Sequence, residues 1–75
     1  MTLADLEQAQ RATLVEVGGA RAFRRRLMEL GFVPGVEVEL SKVAPLGDPL
    51  ELVVRRCSVS IRRAEAAAIT VEPRP

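Results

Sequence analysis

Leu30-Gly31-Phe32-Val33-Pro34-Gly35-Val36-Glu37-Val38-Glu39-Leu40-Ser41 is the stretch in which the period of the chain changes, and its two halves decide the fold. Upstream of it, Ala20, Phe23, Leu27 and Leu30 recur at steps of three and four, the stripe of a helix that buries one face. Arg21, Arg25 and Glu29 fall opposite that stripe, and Met28 lies about 120° from it at 100° per residue, so Met28 is expected to be exposed. Gly31 suits a left-handed cap just after Leu30, and Pro34 prevents continuation. Pro34-Gly35 has the order of a type II turn, with φ preset at the first central residue and a positive φ tolerated at the second. Val36, Val38 and Leu40 then alternate with Glu37, Glu39 and Ser41, the period of a strand with one buried face.

Working outward, Thr13-Leu14-Val15-Glu16-Val17 is β-branched and cut off by Gly18-Gly19, which makes a first strand before the helix. The opening Met1 to Ala12 offers a short helical turn with Leu3 and Leu6 docked. Ala44-Pro45-Leu46-Gly47-Asp48-Pro49 breaks regularity, and Leu50, Leu52 and Val54 alternate beyond it, completing a hairpin with a longer loop. Val59 and Ile61 continue the alternation after about two residues near Arg56-Cys57, a second, tight hairpin. Ala64-Glu65-Ala66-Ala67 is enough for one helical turn before a fifth strand at Ile69-Thr70-Val71-Glu72, and residues 73–75 are expected to fray. The expected fold is mainly β: a small five-stranded barrel, closed so that no edge is left, with one helix inserted after the first strand.

Composition limits what such a domain can do. Seventy-five residues make a single domain spanning 1–75, with one small core and no deep cleft. Phe23 and Phe32 are the only aromatic residues, so the core is aliphatic, and neither aromatic grooves for Pro-rich ligands nor stacking platforms for RNA can be assembled. Eleven Lys and Arg against ten Asp and Glu leave a net charge of +1, too little for a field that holds nucleic acid or an anionic membrane. The N-terminus lacks the pattern of an export signal, and the apolar runs fall far short of the roughly 20 residues of a membrane span. One cysteine, Cys57, fits a reducing compartment, and the cytoplasm is the expected location.

Chemistry is equally restricted. The chain has no His, Cys57 stands alone, and no carboxylates share the spacing of a metal site, so no metal and no cofactor are expected. Cys57 has no base to form its thiolate, and no phosphate loop or acid pair exists, so no enzymatic activity is expected. Glu37 and Glu39 read as the solvated side of their strand. Arg24-Arg25-Arg26, with Arg21 and Arg62-Arg63, form either a basic patch or an ordinary solvated face in which Arg25 pairs weakly with Glu29. The remaining candidate is a protein-contact surface at Met28, Phe32 and Val33, rimmed by Arg24 and Arg25, with Phe32 serving equally well as a plug for the barrel end.

Two stretches carry a family resemblance: Arg26-Leu27-Met28-Glu29-Leu30-Gly31-Phe32-Val33-Pro34-Gly35, and Ala44-Pro45-Leu46-Gly47-Asp48-Pro49 followed by Ile61-Arg62 and the alanine-rich turn. In order and spacing they resemble the FeoA family from about Leu3 to Glu72. The resemblance implies an SH3-like barrel that serves ferrous-iron uptake as a cytoplasmic accessory of FeoB, a membrane iron transporter with a G domain. Contact with the membrane would then run only through that partner, and no nucleic acid is expected. The same barrel is similar to the C-terminal domain of DtxR-type metal-dependent repressors, but those need a helix-turn-helix domain, for which these residues show no pattern; the alternative is a metal-responsive transcription or nucleic-acid accessory module using the arginine patch. The sequence departs from the family pattern near Gln8-Ala9, where many relatives have a glycine turn, and at Arg56-Cys57, where they often have Gly then Tyr. A positive φ at Arg56 costs on the order of 1 kcal/mol, which argues for a wider turn there.

Overall fold

A computed structural model describes residues 1–74. The five strands are β1 (Arg11–Val17), β2 (Glu37–Val43), β3 (Leu50–Val54), β4 (Cys57–Ile61) and β5 (Ile69–Pro73). Helix α1 (Arg21–Glu29) follows β1, and the single turn α2 (Arg63–Ala66) links β4 to β5. A 3₁₀ turn at Leu3–Asp5 opens the chain.

All strands are antiparallel in one sheet of order β4-β3-β2-β1-β5. Irregularities in the pairing between Leu14 and Glu16, and between Leu40 and Lys42, sharpen the curl of the sheet. The expected closure is not made: β4 and β5 remain at opposite ends of the strand order and are not paired. Five strands of five to seven residues curl far enough to enclose a core without joining their ends.

Alternation places Val38 and Leu40 of β2, and Leu50, Leu52 and Val54 of β3, wholly inside. Ala12, Leu14, Ile61, Ile69 and Val71 complete the strand contribution, and Leu3 and Leu6 cover it from the N-terminal turn. No polar side chain is buried among the described residues.

Three expectations are corrected. The β3–β4 hairpin is tight, as the spacing indicates, but its two-residue turn is Arg55 and Arg56, with φ 49° and 67°, rather than Arg56-Cys57, and Cys57 pairs with Val54 inside the strand. Regular pairing of ten flanking residues outweighs the left-handed strain, and no wider turn forms. Pro73 does not fray; it pairs with Ala12 at the sheet edge, where its missing N–H costs nothing, and the Arg74 N–H donates to Arg11 C=O at 3.0 Å. Pro75 lies outside the described residues. Along α1 only Leu27 is buried; Phe23 is half-buried, Ala20 is exposed at the cap, and Leu30 is 44% exposed. A nine-residue helix over the end of a small curled sheet reaches the core with one turn, so the stripe is longer than its footprint.

Candidate functional site

The site begins with the end of α1. The Gly31 N–H donates to Met28 C=O at 3.0 Å, and the Phe32 N–H donates to Leu27 C=O at 2.9 Å. With Gly31 at φ 103° these bonds make a Schellman cap. That cap folds Phe32 back onto Leu27, and both are buried. The chain then turns at Pro34-Gly35, where the Val36 N–H donates to Val33 C=O at 3.1 Å and Gly35 has φ 92°. The Gly35 N–H also donates to Leu14 C=O at 2.8 Å, which pins the corner to β1.

Between this corner, the end of β1 and the outward side of α1 lies an open groove of about 650 Å³. Met28, Phe32 and Val33, together with Arg24 and Arg25, all line it, so the five residues selected from sequence share one surface. Their roles differ. Met28 is 60% exposed, as the wheel indicates, and Val33 is half-buried. Phe32 is 1% exposed, so of its two expected roles it takes that of the plug, and it enters the groove only as floor.

Pro34, Val17, Glu16 and Arg21 also line the groove. Val17 and Glu16 were not legible as site residues, because their strand pattern says nothing of what lies across from its end. The available signal was Gly18-Gly19, which reverses the chain so that the end of β1 meets the start of α1. The result is an apolar strip of Met28, Val33, Pro34 and Val17 with arginines on one side and Glu16 and Glu29 nearby. Such a strip suits an adaptable protein contact with a polar rim.

The arginines do not form one patch. Arg26 leaves the groove to pair with Glu65 of α2 at 3.2 Å, and its guanidinium lies 5.7 Å from the centre of the Phe23 ring. Arg63 is a structural brace: it donates to Gly47 C=O and Ala4 C=O, each at 2.9 Å, tying the β2–β3 loop to the N-terminal turn. No ion pair joins Arg25 to Glu29 among the described residues. Glu37 and Glu39 are solvated as expected and meet Arg11, with Arg74 also at Glu37. No group of three or more Cys, Asp or Glu able to hold a metal occurs among the described residues. No helix is long and apolar enough to cross a membrane.

A curled five-stranded antiparallel sheet with one capped helix defines a small SH3-like β domain. Residues 1–73 match the FeoA domain family, and the chain belongs to that family. It is 40% identical over 72 residues to a fusion protein of Fe(2+) transport protein A and the Fe(2+) transporter FeoB from Porphyromonas gingivalis; the match covers 96% of this chain and 8% of that protein. The solution structure of the FeoA protein from Chlorobium tepidum superposes with a TM-score of 0.94 at 41% identity, covering 97% of this chain and 70% of that one. The crystal structure of Stenotrophomonas maltophilia FeoA with zinc, described as an SH3 domain protein, matches with a TM-score of 0.82 at 37% identity, covering 96% and 89%.

Proposed function

We propose that this domain is a non-enzymatic accessory of ferrous-iron uptake that acts in the cytoplasm by docking on an FeoB-type transporter. The observation that carries the reading is the fusion in Porphyromonas gingivalis, where a homologous stretch is covalently joined to the FeoB transporter. Joining a binding module to its target raises its effective concentration to the millimolar range, which favours a contact made for that target. Iron is cargo of the transporter in this reading, and the accessory contributes only a surface.

The docking surface is the groove beside α1. Met28 supplies an exposed, flexible apolar side chain, Val33 and Pro34 extend it, and Arg24 and Arg25 supply a rim for acidic residues on the transporter. Phe32 supports the surface from beneath.

Ferrous-iron uptake in cells that carry the transporter but lack this protein tests the reading. Wild-type chain should restore uptake, and Met28→Asp should not, although it accumulates to the same level. Full uptake without any copy of the chain would overturn the accessory role. Full rescue by the folded variant would remove this groove from it.

A further inference from the structure

The two edges of the sheet are protected differently. Beside β5 the N-terminal segment covers the edge: Thr2 bridges Thr70, and the Val71 N–H donates to Met1 C=O at 2.9 Å. Beside β4 there is no such cover. The Arg55-Arg56 turn makes Val54 and Cys57 a hydrogen-bonded pair, and pairing continues without a bulge to Leu50 and Ile61. Bonding alternates along an antiparallel ladder, so Cys57, Val59 and Ile61 direct their N–H and C=O groups to β3. Those of Ser58 and Ser60 point away, and none has a hydrogen-bond partner among the described residues. The strand carries no proline and no charged side chain, the usual devices that blunt an exposed edge.

A cleft separates this edge from α1; its exposed lining is more polar than apolar, with Ser60, Arg62 and the Arg26–Glu65 pair around an apolar contact formed by Leu30 and Val59. Leu30, the stripe residue that failed to reach the core, is exposed there. Charge selects the occupant. Arg55 and Arg56 precede β4 and Arg62 follows it, all exposed and none in an ion pair among the described residues. A second copy added antiparallel, β4 to β4, brings Arg55 and Arg56 of each against Arg62 of the other, a like-charge clash.

We propose that the β4 edge is a strand-addition site for an extended segment of a partner protein with an apolar middle and acidic ends. Its main chain completes the ladder at Ser58 and Ser60, alternate apolar side chains enter the cleft over Val59 and Leu30, and its acidic ends meet the flanking arginines. The proposal does not require the transporter reading, and its test uses no transporter.

The probe is the capped peptide Glu-Glu-Val-Thr-Val-Thr-Val-Glu-Glu, with a version whose four glutamates are lysines as the comparison. Amide hydrogen exchange of the full chain is followed by NMR with each. With the acidic peptide, Ser58 and Ser60 amides should slow by about tenfold or more while the β3 amides stay unchanged. Ser60→Pro, which removes an outward N–H and no bond to β3, should weaken binding by about tenfold. Should that variant fail to fold, the exchange result on the unaltered chain decides alone. Unchanged exchange at both serines, or equal protection by the lysine peptide, would overturn the proposal. So would a concentration-dependent dimer of the chain alone that protects the same amides.

Discussion

Arg56, at φ 67°, and Ala9, at φ 69°, occupy left-handed conformations that glycine adopts freely, and both fall where the sequence departs from its family's glycine turns. The departures were visible in the sequence, but their outcome was not, because local strain of about 1 kcal/mol competes with ladder pairing that depends on residues far along the chain. Arg56→Gly should therefore raise stability by about 1 kcal/mol, read as a shift of the denaturant midpoint with an unchanged slope. Asp5 is a second residue with a local role. The Thr2 main-chain N–H donates to its carboxylate at 2.9 Å and is the main cause that holds its pKa below the ordinary 3.8; lost hydration opposes it, and the Thr2 hydroxyl and the N-terminal charge add smaller lowering effects. A carboxyl lowered on folding stabilises the fold above its unfolded pKa, and that contribution disappears as pH falls through the folded value. Asp5→Asn should flatten the acid limb of the stability profile below about pH 4 and change its shape little at neutrality, as thermal unfolding across that range will show.

At the scale of elements, α1 shows how periodicity is read too broadly. The stripe of Ala20, Phe23, Leu27 and Leu30 gave the right helix and the right inward direction, yet burial depends on how much sheet lies beneath, and only Leu27 reaches it. Leu27→Ala should cost about 2–5 kcal/mol and Leu30→Ala under about 1 kcal/mol, a contrast that chemical denaturation resolves. Phe32 was ambiguous as a surface residue, although the signal that places it was present. A glycine after the helix followed by a large apolar residue is the Schellman pattern, whose apolar contact runs back to the last helical turn. Phe32→Ala should accordingly behave as a core truncation and cost about 3–5 kcal/mol, against a total of about 5–15 kcal/mol for ordinary domains. An effect below about 0.5 kcal/mol in either core variant would mean that this end of the helix does not seal the sheet.

Across the whole molecule, alternation and the β2–β3 and β3–β4 hairpins were legible because each strand announces its buried face with period two, whereas the pairing of β1 with β2 and β5 joins segments far apart in sequence. Closure was not legible, since whether β4 and β5, the two end strands of the sheet, meet depends on curvature set by the irregularities near Val15 and Ser41, which no residue type there signals. The groove lay between these cases. Met28 followed from the helix wheel, and Arg24 and Arg25 from their adjacency to it, whereas Val17 and Glu16 came from tertiary approach. In the proposed reading this groove docks a FeoA domain onto its transporter. The direct measurement is the affinity of the folded chain for the purified FeoB-type transporter of the same cell, with wild type and Met28→Asp compared under one salt concentration. A carboxylate placed in a desolvated apolar contact should weaken binding by several kcal/mol, about a hundredfold or more, while the unfolding temperature moves little. Equal affinity of the two folded proteins, or no binding by the wild type, would contradict the account.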